Sequence, residues 1–182
     1  MPEIGNMHRL EYYYINVIKP DLNNKFLYES IGKIPKIDKI TLNFGCKTQD
    51  LKKLSISFLS MQLICDRKGS LTLSSQSCLS FKIRKGNPVG CKIVLRKAFM
   101  YGLLSKMQKN GFPLRKNGVV VKPFQDVSSV SFNYSNVLVF DELEKNYFLF
   151  NTLKDFQITI TTTARSTAET LYILNAFKFP IA

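Results

Sequence analysis

The period of apolar residues changes several times along the chain, and each change predicts an element. Leu10, Tyr14, Ile18, Leu22 and Phe26 recur every fourth residue, which is helical spacing. Pro20 interrupts the run, because it removes a backbone donor and its ring crowds the preceding turn. Two short helices or one kinked helix are expected, around 7–19 and 20–29. From residue 35 the period falls to two: Ile40, Leu42 and Phe44 alternate with Lys39, Thr41 and Asn43, a half-buried strand ended by Gly45. Thr48 offers an N-cap with Asp50 in the first turn. Leu51, Leu54, Phe58, Met61 and Cys65 then follow at three-four spacing, an amphipathic helix whose apolar face should lie on the sheet. Residues 66–69 break it ahead of a strand at 71–73.

The stretch 81–96, FKIRKGNPVGCKIVLR, is expected to form two short strands joined by a turn. Phe81 and Ile83 alternate with Lys82 and Arg84, and Cys91, Ile93 and Leu95 alternate with Lys92, Val94 and Arg96. One face of that hairpin is apolar, and the other carries four cations with Val94 among them. In KGNPVG, Gly86 and Gly90 can take positive φ, Asn87 tolerates a turn and Pro88 fixes φ. The polar run 74–80, SSQSCLS, is expected as an exposed loop leading into the hairpin. A helix at 98–110 follows, with Met100, Leu103, Leu104 and Met107 on one side, Lys106 and Lys109 near its negative end, and Gly111 as a left-handed cap. Residues 112–147 carry the weakest pattern, strand-like at 119–121 and 127–134. Phe156, Ile158 and Ile160 alternate with Gln157, Thr159 and Thr161, and Ser166 with Glu169 forms a capping box opening a last helix at 166–176. Two strand pairs have connections too short for parallel crossovers. The expected fold is α+β, one domain over 1–182, with a largely antiparallel sheet, helices on one face and the other face partly open.

Charge changes this picture from a generic fold to a binding protein. The 182 residues carry a formal charge of +13 with 45% apolar residues, so a basic surface is backed by a real core rather than by a disordered tail. Nucleic acid or an anionic membrane are the partners such a charge suits. No apolar run approaches the length of a bilayer span, and no signal-type segment opens the chain. The four cysteines, Cys46, Cys65, Cys78 and Cys91, are widely spaced, and three of them are expected to be buried free thiols in a reducing compartment. The many Phe and Tyr residues alongside Lys, Asn and Ile, with no Trp, are the usage that AT-rich coding gives, as in organellar genomes.

No catalytic constellation accompanies the charge. His8 is the single histidine, so no Ser-His or Cys-His pair is supported, and it is expected on the helix surface. Asp141, Glu142 and Glu144 are expected in a solvated loop, and KGNPVG lacks phosphate-loop or dinucleotide spacing. Tyr12, Tyr13 and Tyr14 could stack on bases, with packing around the first helix as their default role. The chain is therefore expected to be neither an enzyme nor a cofactor-binding protein.

Three segments carry a resemblance that spans nearly the whole chain. IPKIDKITLNFG at 34–45, FKIRKGNPVGCKIVLR at 81–96 and ITITTTARSTAE at 158–169 resemble the signature segments of the family of ribosomal protein five of the large subunit. HRLEYY in the first helix, N-Y-S at 133–135, F-x-E at 140–142 and AFKFP near the end are similar to family positions in the same order. The resemblance implies 5S rRNA as partner, held in the central protuberance, with further contacts to the large rRNA, to a small-subunit protein across an intersubunit bridge, and to P-site tRNA. It implies Asn43 as the main 5S contact with Lys39 and Thr41 beside it, and family positions at Arg67, Val94 and Arg96; the cations Lys36, Lys82, Arg84 and Lys92, read from the charge pattern, complete the expected rRNA-binding set. Arg67 stands where many members have Gln, and Val94 where they have Thr.

The tRNA-facing loop is basic in bacterial members, whereas here it is Leu73, Ser74, Ser75, Gln76 and Ser77, so a weaker and less salt-sensitive tRNA contact is expected. Between 112 and 139 the bacterial pattern is lost, and bridge residues are not carried over. A retained RNA-binding core with drift elsewhere, and no presequence, is expected of a mitochondrial ribosome rather than a plastid one. No membrane contact and no homo-oligomer are expected. The alternative function is a basic membrane-surface or regulatory RNA-binding protein outside the ribosome, which polar strands without a basic amphipathic helix disfavour.

Overall fold

Pro20 does not split the first helix. In the computed structural model, which describes residues 8–46, 50–109, 124–134, 137–153 and 156–179, α1 (Arg9–Tyr13) runs through a π-helical turn (Tyr14–Ile18) into α2 (Lys19–Phe26). The Lys19 N–H donates to the Tyr14 carbonyl, five residues back. Pro20 in a regular helix would clash with the carbonyl four residues before it, and the wider π turn accommodates the chain just ahead of that point. The four-residue spacing then buries Tyr14, Ile18 and Leu22.

Six strands, β1 (Ile37–Gly45), β2 (Ser70–Leu73), β3 (Pro88–Leu95), β4 (Phe124–Gln125), β5 (Ser129–Tyr134) and β6 (Phe156–Thr162), form one sheet in the order β2-β3-β1-β6-β5-β4. With α3 (Leu51–Cys65), α4 (Lys97–Lys109), α5 (Asp141–Glu144), α6 (Tyr147–Phe150) and α7 (Thr167–Ala176), the architecture is the expected α+β fold with an antiparallel sheet. The chain packs as two compact units, Met1–Ile40 with Arg96–Ser131 and Ile160–Ala182, and Thr41–Leu95 with Phe132–Thr159, whose boundary falls inside β1, β5 and β6. In the first unit α1 packs on α4. Tyr14 donates its hydroxyl to the Pro35 carbonyl at 2.9 Å and stacks on Phe177 at 6.4 Å. In the second unit α3 lies on β3, and α5 and α6 pack on α3. Phe44, Phe140 and Phe156 meet in its core, with Phe44 stacked on Phe156 at 5.1 Å.

Local differences from the sequence reading have local causes. Asp50, not Thr48, caps α3: its carboxylate accepts from the Lys52 and Lys53 N–H groups, and Thr48 lies outside the described residues. Leu51 is exposed and Phe58 half-buried, while Ser57, Ser60 and Ile64 join Leu54, Met61 and Cys65 in the buried stripe. The serines are tolerated there because their hydroxyls donate to helix carbonyls, Ser57 to Lys53 and Ser60 to Ser57. Asp141, Glu142 and Glu144 belong to the short helix α5 rather than a loop, because Leu143 is pulled into the core between them. Two cysteines, Cys65 and Cys91, are buried rather than three, and all four are free thiols. His8 is the N-cap of α1, its Nδ1 accepting from the Leu10 N–H at 3.2 Å. The capping box at α7 is half made: Ser166 accepts from the Glu169 N–H, while the Glu169 carboxylate reaches back to the Arg165 N–H instead. The Gly111 cap and the strand at 119–121 fall outside the described residues.

The largest correction concerns 81–96. β3 spans Pro88–Leu95 and pairs antiparallel not with 81–84 but with β2, Ser70 opposite Lys92 and Leu71 opposite Cys91. The register shifts between Thr72 and Leu73, a bulge beside Pro88, where a strand tolerates a residue without an N–H. Gly90 sits where a Cβ would meet the Phe44 carbonyl oxygen at 2.5 Å and Thr72 Oγ1 at 2.8 Å, so close strand approach rather than a turn explains that glycine. Residues 74–87 form the connection from β2 to β3. Ser74 donates its N–H to the Asn87 carbonyl and accepts from the Gly86 N–H at the base of this loop, and Cys78 and Ile83 exchange a pair of backbone bonds near its tip. Phe81 is exposed there and Ile83 half-buried.

Candidate nucleic-acid interface

The pleat of β1 buries Ile40, Leu42 and Phe44 and turns Lys39, Thr41 and Asn43 to the opposite, partly exposed face. β3, its neighbour in the sheet, buries Cys91, Ile93 and Leu95 and exposes Lys92 and Val94. Within the second unit, Thr41, Asn43, Lys92 and Val94 therefore lie on the outward faces of adjacent strands. Burial under β3 pushes the Cys91 thiol up to about 12, with the Cys46 thiol adding to the effect, so the sulfur beneath this face is neutral.

The rest of the expected rRNA-binding set is distributed differently. Lys36 is exposed just before β1, where its N–H donates to Thr163 Oγ1 at 3.0 Å and its carbonyl accepts from the Thr163 N–H at 2.9 Å. Arg96, exposed directly after β3, has its Nη1 3.7 Å from Asp38 Oδ1. Sequence reading passed over Asp38; its signal was a single acid between Ile37 and Lys39 on a basic strand. Both side chains are solvated, so this ion pair orients Arg96 more than it stabilises the fold. Arg67 follows the left-handed C-cap Asp66 at the end of α3 and lies three residues before β2.

Lys82 and Arg84 are not on the sheet. They belong to the 74–87 connection, together with Lys85, which was not singled out. With Cys78, Leu79, Ile83 and Asn87, Lys82 and Arg84 line an open depression of about 500 Å³. Leu73 ends β2, and Ser74, Ser75, Gln76 and Ser77 open the 74–87 loop, which runs past the expected Ser80 and carries three cations on its returning limb. Its tip also presents Leu79, 96% exposed, and Phe81. Among the described residues no group of three His, Cys, Asp or Glu side chains could hold a metal ion, and no helix is long and apolar enough to cross a membrane.

What this arrangement can do chemically is bind a polyanion: a stiff strand face with amide, hydroxyl and ammonium groups, and a basic loop beside it in sequence. Nothing in it suggests bond making or breaking. Comparison with known proteins bears on the family of the chain. The model of the C-terminus of the ribosomal L5 protein family matches residues 88–181. The large ribosomal subunit protein uL5 of Methylococcus capsulatus is 36% identical over 96% of this chain and 98% of its own length. That of Wigglesworthia glossinidia brevipalpis is likewise 36% identical over the same shares. The large ribosomal subunit protein uL5m of Reclinomonas americana is 34% identical, again over 96% of this chain and 98% of its own.

Proposed function

The chain belongs to the uL5 family of large ribosomal subunit proteins, and from that premise we propose that it binds 5S rRNA through the outward faces of β1 and β3. It is a structural constituent of the ribosome and not an enzyme. The observation that carries the RNA reading is the position of Asn43. A side chain with both a donor and an acceptor stands on the solvent side of a strand whose other side is fully packed, in the element next to Lys92 and Val94. Such a group reads sugar and base edges, while Lys36, Lys39, Lys92 and Arg96 supply phosphate contacts. Val94 offers only apolar contact on this face.

On this reading the protein sits in the central protuberance as a single domain. It touches large-subunit rRNA and a small-subunit bridge protein, and extends the 74–87 loop towards P-site tRNA. The mitochondrial ribosome is its proposed location, supported by the AT-rich residue usage and the similarity to the uL5m of Reclinomonas americana. Sequencing the RNA crosslinked to the native protein, from ribosomes sedimented out of purified mitochondria, tests both parts. 5S rRNA enriched in the crosslinked fraction is the expected result. Crosslinks confined to other RNA would remove the 5S assignment, and recovery outside the organelle would remove the location.

A further inference from the structure

Positive charge also gathers at a place that the strand faces do not include. His8 and Arg9 at the start of α1, Tyr13 further along it, Gln108 and Lys109 at the end of α4, and Lys178 after α7 line a cavity of about 580 Å³, all within the first unit. That volume falls inside the roughly 300–1,000 Å³ of small-molecule sites. Among the described residues no carboxylate lines it, and none of Arg9, Lys109 and Lys178 forms an ion pair. Lys109 and Lys178 stand at helix C-terminal ends, whose partial negative charge favours a cation there; a bound anion must therefore be held by the side chains and not by a helix dipole.

The remaining lining is made for more than a bare anion. His8 accepts from the Leu10 N–H through Nδ1 at 3.2 Å, which assigns its ring proton to Nε2 as a donor, and its ring stacks on Tyr101 at 6.4 Å. Gln108 donates from Nε2 to the Phe177 carbonyl at 2.8 Å, tying α4 to the end of α7 and stiffening the wall, with its amide oxygen facing away from that bond as an acceptor. Tyr13 is 37% exposed, an aromatic ring with an open side. Cations for phosphate, an aromatic face for a base, and a fixed donor and acceptor for edges or ribose are what single-stranded RNA needs.

We propose that this cavity takes one unstacked nucleotide of single-stranded RNA, its base against Tyr13 and its phosphates against Arg9, Lys109 and Lys178. The choice of RNA rests on the ribosomal assignment; the site itself does not depend on the strand faces binding 5S rRNA.

The test uses the full chain with a thiouridine-labelled oligouridine and an RNA duplex as control. Irradiation should crosslink the oligouridine to the peptide containing Tyr13. Tyr13→Leu, which keeps an apolar side chain but no ring, should weaken binding about tenfold, the scale of one lost base stack. Tyr13→Phe should retain it. Arg9→Gln with Lys178→Gln should lower the slope of log affinity against log salt by about 1.4, roughly 0.7 for each phosphate contact on a single strand. Peptide mapping distinguishes an oligouridine crosslink at Tyr13 from one on β1 or β3, so failure here is separable from failure of the 5S reading. Equal affinity of Tyr13→Leu and the unaltered protein, or equal affinity for duplex and single strand, would overturn the proposal.

Discussion

β3 and the 74–87 loop are consecutive in the chain, and each mixes apolar and cationic residues, yet they treat them in opposite ways. From Cys91 onward β3 buries every second residue: Cys91, Ile93 and Leu95 are inside while Lys92 and Val94 are out. In the loop Leu79 and Phe81 are exposed beside Lys82, Arg84 and Lys85. The strand's outward groups are held by a packed underside and by ladders to β2 and β1. The loop is held by a few backbone bonds at its base and near its tip, and by a glycine at φ 86° that lets it turn back at Gly86. A partner meeting β3 finds side chains already in place, which lowers the ordering cost of binding. A partner meeting the loop finds Leu79 and Phe81 as exposed apolar contacts beside its cations.

The contrast can be broken first by stability. Leu42→Ala, under the β1 face, should cost about 2–5 kcal/mol in urea unfolding, because it leaves a cavity in a fully packed site. Leu79→Ala, at the exposed loop tip, should change stability by less than about 0.5 kcal/mol. Comparable losses for the two would show that the loop is packed in solution.

Next is the polar face. Asn43→Ala should weaken 5S rRNA binding by about 1–3 kcal/mol, a lost hydrogen bond with its partner left unsatisfied, and leave the melting temperature nearly unchanged. A large fall in melting temperature with intact RNA affinity would make Asn43 a structural residue instead.

Alkaline pH separates the two regions from beneath. Cys91 is raised from 9.0 to about 12, burial being the larger cause and the Cys46 thiol the smaller. Above pH 9 the unfolded chain ionises this thiol while the folded chain keeps it protonated. The unfolded state then binds fewer protons, and stability falls as pH rises, by about 1.4 kcal/mol per pH unit for this one group. Below pH 9 it contributes no slope. Urea midpoints measured between pH 7 and pH 10 should therefore decline above pH 9 in the unaltered protein and less in Cys91→Ala. Parallel declines would mean that the thiol is not shielded.

The smallest effect concerns the loop's cations. Replacing Lys82, Arg84 and Lys85 with Gln should flatten the salt dependence of tRNA dissociation from the ribosome by about 0.7–0.9 for each phosphate they neutralise, while Ser75→Ala should leave it unchanged. Identical slopes in a salt series would place those side chains away from tRNA.

How far the molecule was legible follows from where its periodicity has a physical cause. Leu10 to Phe26, Ile40 to Phe44, Leu51 to Cys65 and Phe156 to Ile160 each repeat at the period of the element they form, because one side of that element must be buried. In those stretches helix or strand could be assigned in advance, and so could the outward positions of Asn43, Lys92 and Val94, whereas in α3 the spacing put exposed Leu51 inside and passed over buried Ser57 and Ser60. The capping box at Ser166 was half right, since only its serine arm depends on local geometry alone. Residues 81–84 failed for the same reason that the others succeeded. Phe81 and Ile83 alternate with cations like a strand, but among the described residues only the single bridge between Cys78 and Ile83 pairs with them, and β2 occupies the edge of β3 instead.

The sequence by itself thus determined the kind of each regular element and most of its inward face, the basic charge with no catalytic set, and the family. Only the tertiary structure decided which strands pair, that Gly90 is required by the Phe44 carbonyl rather than by a turn, that Asp38 meets Arg96, and that Arg9, Lys109 and Lys178 converge. Periodicity is a property of neighbours along the chain; pairing and convergence depend on partners tens of residues away, for which a single sequence holds no signal.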